Sequence, residues 1–335
     1  MKETYEPKKL LILRILQILR EFSDYEHKLR QGDIISLLKV QYDIECERKA
    51  VARNIDFLQQ AGYDIVADKE GVYLASRKFE AGELRLLIDC VLSNRNVCKA
   101  HTKELIAKLT EEGGKYFKNY TKHVINLDDW QKDENRDYFY NIELCCEAID
   151  RGRKISFYYN YIDINKQRYK NRPERSFVSP YRLFLKNGHY YLACNYDKYD
   201  NLLFIRLDRM SDTEITKQQA KPLDKVKNCQ NGINLGELYN RYPFMQADIP
   251  TRIEFVTANC AEHMIDNVID AFGRNTDITD MGDGNYKFAL TASPSAMRFW
   301  LLQYGKYVKI LSPQSLVEQI KADIEAMSKL YKEEK

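Results

Sequence analysis

Ser179-Pro180-Tyr181-Arg182-Leu183-Phe184-Leu185-Lys186-Asn187-Gly188-His189-Tyr190-Tyr191-Leu192-Ala193-Cys194, followed by Phe204-Ile205-Arg206-Leu207-Asp208-Arg209, is the stretch that decides the fold of this chain. Two alternating runs meet at Asn-Gly, the strongest short-range signal for a two-residue hairpin. The second segment adds a third strand. Arginine, tyrosine, histidine and serine recur on this small sheet, a residue set that suits an anionic or nucleotide-like ligand.

Working outward, Lys154–Tyr161, Gln167–Val178, Tyr181–Lys186, Tyr190–Asn195, Leu203–Leu207 and Thr213–Thr216 read as five or six short strands with turn-rich joins. That size and spacing predict a small SH3- or Sm-like β-barrel over residues 151–222. On it, Tyr181 alternates with Leu183 and Leu185, and Arg182 with Phe184 and Lys186, so the second set forms the more polar face. His189 and Tyr191 share a side. Arg206 and Arg209, three residues apart, face opposite sides of a flat strand unless a bulge near Leu207 intervenes. An arginine fork holds phosphate bidentately and a tyrosine ring stacks on a base. Tyr159, Ser179, Tyr181, Arg182, His189, Tyr191, Arg206 and Arg209 are therefore the candidate ligand-binding residues. A structural alternative stands beside this one: Tyr190 as core, and Asp208 as an ion-pair partner of Arg209.

The first 78 residues carry three helical patterns in quick succession. Leu10, Leu11, Leu13, Leu16, Ile18 and Leu19 stripe the first helix; Asp33–Val40 forms a short second; the third runs from about Cys46 to Ala61 and stops at Gly62. In the third, Val51, Ile55 and Leu58 share a face, and Arg48, Lys49, Ala52, Arg53 and Asp56 lie on the other. Tyr63–Val66 and Val72–Ala75 alternate around Asp68-Lys69-Glu70-Gly71, a hairpin wing. A basic-faced short helix behind another short helix is the geometry of a winged helix-turn-helix reader of double-stranded DNA. Its candidate DNA-binding residues are Arg48, Lys49, Arg53 and Lys69. The segment holds fourteen basic and thirteen acidic residues, so binding depends on a locally positive face.

Residues 79–150 read as a helical connector: Glu80–Leu92, Thr102–Leu109 ended by Gly113-Gly114, a polar stretch, and Tyr138–Ile149. Residues 230–335 read as a bridging helix Leu235–Arg241, then strand Arg252–Thr257, helix Ala261–Phe272, strands Thr276–Asp280 and Tyr286–Leu290, helix Ser295–Tyr304, strand Val308–Leu311 and helix Gln314–Tyr331. That β-α-β-β-α-β order predicts a ferredoxin-like sandwich. Asn259 and Ser293 are the expected helix caps. The fold class is thus multidomain α+β.

Composition narrows the function classes. A net charge of +3 over 335 residues is too small to prove a nucleic-acid partner, but residues 150–182 hold nine basic residues against three acids. The eight cysteines form no CxxC pair and no zinc spacing, and the five histidines are scattered, so no metal or cofactor is expected. Met281-Gly282-Asp283-Gly284-Asn285 lacks the lysine of a phosphate loop and reads as a hairpin turn. No catalytic constellation emerges, and the chain is read as not an enzyme. The run Leu10–Leu19 is broken by Arg14, and nothing approaches the ~20 apolar residues of a membrane span, which makes a cytoplasmic protein with reduced thiols the expectation.

Glu47-Arg48-Lys49-Ala50-Val51-Ala52-Arg53-Asn54-Ile55 resembles the recognition helix of WYL-domain transcriptional regulators, with Ala50, Ala52 and Asn54 in place of the family's threonine, tyrosine and aspartate. Ile155-Ser156-Phe157-Tyr158-Tyr159 resembles the family's opening strand and Ser179–Leu183 its proline-led strand. Tyr190-Tyr191-Leu192 stands at the Trp-Tyr-Leu triplet, and Phe204–Arg209 resembles the closing Phe-Arg-Leu-Asp-Arg motif with one residue inserted. The resemblance implies a homodimeric regulator whose barrel senses a nucleotide or single-stranded nucleic-acid effector, with a C-terminal extension domain. The alternative is a single-stranded nucleic-acid-binding accessory protein of an anti-phage or nuclease system.

Overall fold

The computed structural model describes residues 8–121, 132, 135–245, 248–257 and 263–332. The chain divides into two compact units, Met1–Arg136 and Asp137–Lys335. Asn259 and the first two residues of the predicted helix Ala261–Phe272 lie outside the described residues.

In the first unit, α1 (Leu11–Phe22), α2 (Gln31–Tyr42) and α3 (Arg48–Gln60) precede β1 (Ile65–Ala67) and β2 (Val72–Leu74). Helix α3 has no glycine or proline and places Val51, Ile55 and Leu58 at i, i+4, i+7, all buried. They pack with Ile15, Leu19, Ile34 and Leu38 of α1 and α2, each fully buried aliphatic stabilising by roughly 1.5–3 kcal/mol. The helix ends where Gly62 takes a left-handed φ of 94°. Strands β1 and β2 pair antiparallel, and Leu29 exchanges backbone bonds of 2.9 and 2.8 Å with Val72. Ser23 Oγ donates to the Leu19 carbonyl and accepts from the Leu74 amide, tying β2 to the end of α1.

Helices α4 (Ala81–Ser93), α5 (Lys99–Glu112) and α6 (Gly114–Thr121) follow, sharing a core of Leu84, Ile88, Leu92, Ile106 and Phe117. The sequence predicts no helix at α6, because Gly113-Gly114 reads as a stop. The chain restarts there because Phe117 has an apolar slot to fill and Tyr116 stacks on His27 at 3.5 Å between ring centroids.

The second unit opens with α7 (Tyr138–Asp150), which packs on a curled six-stranded antiparallel sheet. Its strands are β3 (Arg153–Ile162), β4 (Arg168–Lys170), β5 (Ser176–Lys186), β6 (His189–Asn195), β7 (Leu203–Arg206) and β8 (Met210–Gln219), in the order β4-β3-β5-β6-β7 with β8 against β3. Asn187 and Gly188, at φ 50° and 76°, make the primed turn that the Asn-Gly pair calls for.

The sequence splits this region differently, into strands 167–178 and 181–186. Instead the chain leaves the sheet around Pro173, and β5 runs unbroken through Pro180. The proline is tolerated because β5 changes partner there: Ser176–Val178 pair with β3, and from Ser179 onward it pairs with β6. A register slip between Pro180 and Arg182 bends the strand at the same place.

Helix α8 (Leu235–Arg241) bridges to a second sheet of β9 (Thr251–Thr257), β10 (Asp277–Gly282), β11 (Asn285–Ala292) and β12 (Val308–Ser312), ordered β10-β11-β9-β12. Helices α9 (His263–Phe272), α10 (Pro294–Tyr304) and α11 (Gln314–Leu330) complete it. Phe255 and Phe288 stack at 5.0 Å within a core that includes Phe272 and Trp300. Ser293 caps α10 by accepting from the Ala296 amide, with Pro294 opening the helix. Asp283 and Gly284 form the β10–β11 turn that the sequence suggests.

Candidate functional site

Helix α3 turns Arg48, Lys49 and Arg53 to solvent, opposite its buried stripe. Asn54 folds back, Nδ2 donating to the Ala50 carbonyl at 2.7 Å. Lys69 is exposed at the β1–β2 turn. On either side of it, Asp68 and Glu70 both accept from Lys28 Nζ, at 2.6 and 2.7 Å. Those bonds raise the Lys28 pKa and hold the Asp68 carboxyl below its usual range. The acids of the β1–β2 turn are thus matched by a lysine from the α1–α2 loop, and Lys69 is left to project without a carboxylate bonded to it among the described residues. Sequence reasoning missed Lys28, which lies forty residues away from its partner.

In the second unit the ligand candidates fall into three groups. The first is gathered at the end of β7. Leu207–Arg209 is a 3-10 turn rather than the flat strand or bulge considered from sequence, and it rotates Arg209 back toward the side of Arg206. Tyr159 lies against both: burial raises its phenol pKa, while Arg209, through charge and a side-chain hydrogen bond, lowers it. The Arg209 guanidinium also sits 5.6 Å from the Tyr161 ring centroid. Tyr191 pairs with Arg206 across β6 and β7, and His189 meets Tyr191 edge-on.

At the middle of this group stands Asp208. Its carboxylate takes Arg206 in a fork, Nε at 3.0 Å and Nη2 at 2.8 Å, with His189 Nδ1 at 4.0 Å. Burial opposes the Arg206 charge, and the Asp208 bond and charge more than offset it, so the pKa is raised. The ion pair considered from sequence therefore forms with Arg206, two residues before Asp208, because the 3-10 turn folds the carboxylate back.

Three polar side chains hold that turn. Asn141 of α7, fully buried, donates to the Leu207 and Met210 carbonyls at 3.4 and 3.2 Å. Asn160 of β3 donates to the Arg209 carbonyl at 3.1 Å, and Arg168 to the Asp208 carbonyl at 2.5 Å. Neither asparagine was legible as a site residue, since each sits in a run that reads as ordinary helix or strand.

The second group is Arg182, exposed on β5 and paired with Ala193. Cross-strand pairing puts Arg182, Phe184, Lys186, His189, Tyr191, Phe204 and Arg206 on one face. Much of that face is covered: Leu238 and Tyr242 of the α8 segment pack on Phe184, Ala193 and Phe204, and burial raises the Tyr191 and Tyr242 phenols, the latter to about 12. The expected polarity of Phe184 and Lys186 is overridden by this cover.

The third group is Ser179 and Tyr181, which the structure places elsewhere. Ser179 is fully buried and accepts from the Lys221 amide at 2.9 Å, while the Tyr181 hydroxyl donates to the Lys221 carbonyl at 2.9 Å. Burial pushes the Tyr181 phenol up to about 12. Both anchor the segment after β8 to the bend of β5.

Beside Tyr159 opens a hollow of about 280 Å³, walled by Arg172, Glu174, Ser176, Tyr196, Lys198 and Tyr199, two cations against one acid. Tyr196 and Tyr199 meet edge-on at 6.3 Å, and Lys198 lies 4.8 Å over the Tyr199 ring. Rings flanked by cations are the chemistry of a stacking platform for a base with a phosphate at its rim. The signal available in sequence was Tyr196-Asp197-Lys198-Tyr199, two aromatics about a lysine in a turn.

A WYL domain spans residues 141–215. A WCX domain spans residues 248–328. The WYL match begins within α7 and takes in both asparagine clamps and all eight ligand candidates; the WCX match takes in the second sheet, α9, α10 and most of α11. Among solved structures the chain is similar to proteasome accessory factor B/C (PafBC) of Arthrobacter aurescens, at 16% identity and a TM-score of 0.29, over 99% of this chain and 51% of that one. It is also similar to a CRISPR Cas-related protein, at 13% identity and a TM-score of 0.39, over 97% of this chain and 86% of that one. The chain thus spans about half the length of the first. No curated protein matches it. No helix among the described residues is long and apolar enough to cross a membrane.

Proposed function

We propose that this chain is a DNA-binding transcriptional regulator, non-enzymatic and cytoplasmic, that works as a homodimer. Residues 1–78 act as a winged helix-turn-helix, with α3 in the major groove of double-stranded DNA and Lys69 on the adjoining backbone. The SH3/Sm-like barrel of the WYL domain senses a nucleotide or single-stranded nucleic acid, and the ferredoxin-like extension follows it. The observation that carries the reading is α3 itself: three cations exposed along one face, three aliphatics buried along the other, and a wing whose acids are matched by Lys28. The 3-10 turn that gathers Tyr159, Arg206 and Arg209 supports the sensing half.

Fluorescence anisotropy on promoter duplexes selected by the full chain tests it. Arg53→Ala weakens duplex binding, and its salt slope falls by about one if the contact is to phosphate. Equal binding by wild type and Arg53→Ala across all duplexes refutes the assignment of α3. A second reading is favoured by the hollow beside Tyr159: the barrel holds single strands in an anti-phage or nuclease-associated role. In that case Tyr199→Ala and Arg209→Ala lose single-strand binding, and no duplex sequence is preferred.

A further inference from the structure

A larger cleft, of about 590 Å³, lies between the tip of the β5–β6 hairpin, α8, and helices α9 and α10. It is distinct from the hollow beside Tyr159 and shares no lining residue with it. Lys186 lines it while remaining only 8% exposed. The ammonium carries three donor directions. One is taken by the Tyr239 carbonyl, and the cation lies 5.1 Å from the centroid of that residue's ring. No carboxylate among the described residues pairs with it. Asp270, the one acid on the cleft wall among the described residues, is exposed and outside ion-pair distance of Lys186. Burial holds the Lys186 pKa down to about 8.

A buried charge is ordinarily matched by a counter-charge, because leaving it bare in a low dielectric costs several kcal/mol. Here the counter-charge missing among the described residues coincides with open space large enough for a ligand, within the roughly 300–1,000 Å³ of small-molecule sites. The walls say what else the ligand carries. Tyr239, Phe244 and Tyr304 offer rings, and Asn267 and Gln303 offer amides that donate and accept in one plane.

We propose that this cleft binds a small organic anion with a planar ring body: its phosphate or carboxylate sits on Lys186 Nζ, its ring lies along the aromatic wall, and Asn267 and Gln303 read the ring edge. Because the cleft is bounded by the hairpin on one side and by α9 and α10 on the other, its occupant bridges the WYL sheet to the WCX domain. This is a second ligand site, independent of the effector proposed for the barrel.

The test uses the full chain with Trp130→Phe, which leaves Trp300, a cleft residue, as the sole fluorophore of its type. Adenosine monophosphate, adenosine and 4-hydroxybenzoate are titrated separately, by calorimetry and by Trp300 emission. At least one of the two anions binds at one per chain and changes that emission, whereas adenosine binds far more weakly. Response to the nucleotide alone assigns a phosphate, and response to the benzoate alone a carboxylate. Lys186→Met weakens binding tenfold or more, as expected for a charge-assisted bond, and Gln303→Ala weakens it severalfold. Adenosine binding as tightly as the nucleotide, no response to any probe at millimolar concentration, or full binding by folded Lys186→Met each overturns the proposal. Binding lost in Arg209→Ala but kept in Lys186→Met belongs to the barrel patch and overturns it too. Should Lys186→Met fail to melt cooperatively, amine acylation at pH 8 replaces it: a ligand that leaves Lys186 unprotected in the parent chain is not in the cleft.

Discussion

Replacing Asp208 by asparagine removes one charge and almost no volume, and the structure says what that costs. Two donors of Arg206 converge on the carboxylate at 3.0 and 2.8 Å, and the side chains of Arg206 and Asp208 are only 23% and 6% exposed. The amide keeps one acceptor but turns a donor toward a donor, so one bond is lost and the guanidinium is left half-compensated. Breaking a buried pair costs about 3–5 kcal/mol, and the water still reaching Arg206 puts this case near the bottom of that range, at about 3 kcal/mol. For a unit of this size each kcal/mol moves Tm by about 2–4 °C, so the transition of residues 137–335 falls by about 6–12 °C in calorimetry. A control removes the same charge from the surface. Arg298 and Asp323 form an equally good fork, at 2.8 and 2.6 Å, but are 36% and 32% exposed. Asp323→Asn is expected to cost under about 1 kcal/mol, since water screens the exposed pair. If both variants melt alike, burial does not set the strength of the Asp208 pair, and the account of the 3-10 turn is wrong.

Asn141→Ala strips the Leu207 and Met210 carbonyls of a buried donor, and urea unfolding should show a loss of about 1–3 kcal/mol. Gly71→Ala sets a Cβ 2.7 Å from the Leu29 carbonyl oxygen, so hydrogen exchange at the paired Leu29 and Val72 amides should accelerate; unchanged protection refutes the close approach. The Lys186 pKa of about 8 lies below its ordinary 10.5, so the folded chain binds fewer protons than the unfolded chain between those values. Wild-type stability therefore climbs relative to Lys186→Met as pH rises from 8 toward 10, and below pH 8 the penalty is present in full; parallel profiles contradict this.

What the sequence made legible was local. The Asn187-Gly188 hairpin, the stripe Val51-Ile55-Leu58 and the cap Ser293-Pro294 follow from spacing and turn chemistry, and element types along both units match the reading closely. What escaped it depends on partners distant in the chain. Pro180 reads as a strand end until β6 is seen to take over from β3 at that residue. Phe184 and Lys186 read as a polar face until α8, fifty residues on, is laid over them. Arg206 and Arg209 are separable by counting along a strand, and only the turn clamped by Asn141 and Asn160 reunites them. Ser179 looked available for a ligand because its Lys221 partner is forty-two residues away.

Because β5 pairs with β3 over Ser176–Val178 and with β6 from Ser179 to Lys186, it is the splice that joins the β3 side of the curled sheet to the β6–β7 side. Opening one ladder leaves the strand held by the other, so the two sides of the sheet stay tethered through β5. A force or ligand acting on the β5–β6 hairpin therefore reaches β3 through the bend of β5 at Pro180.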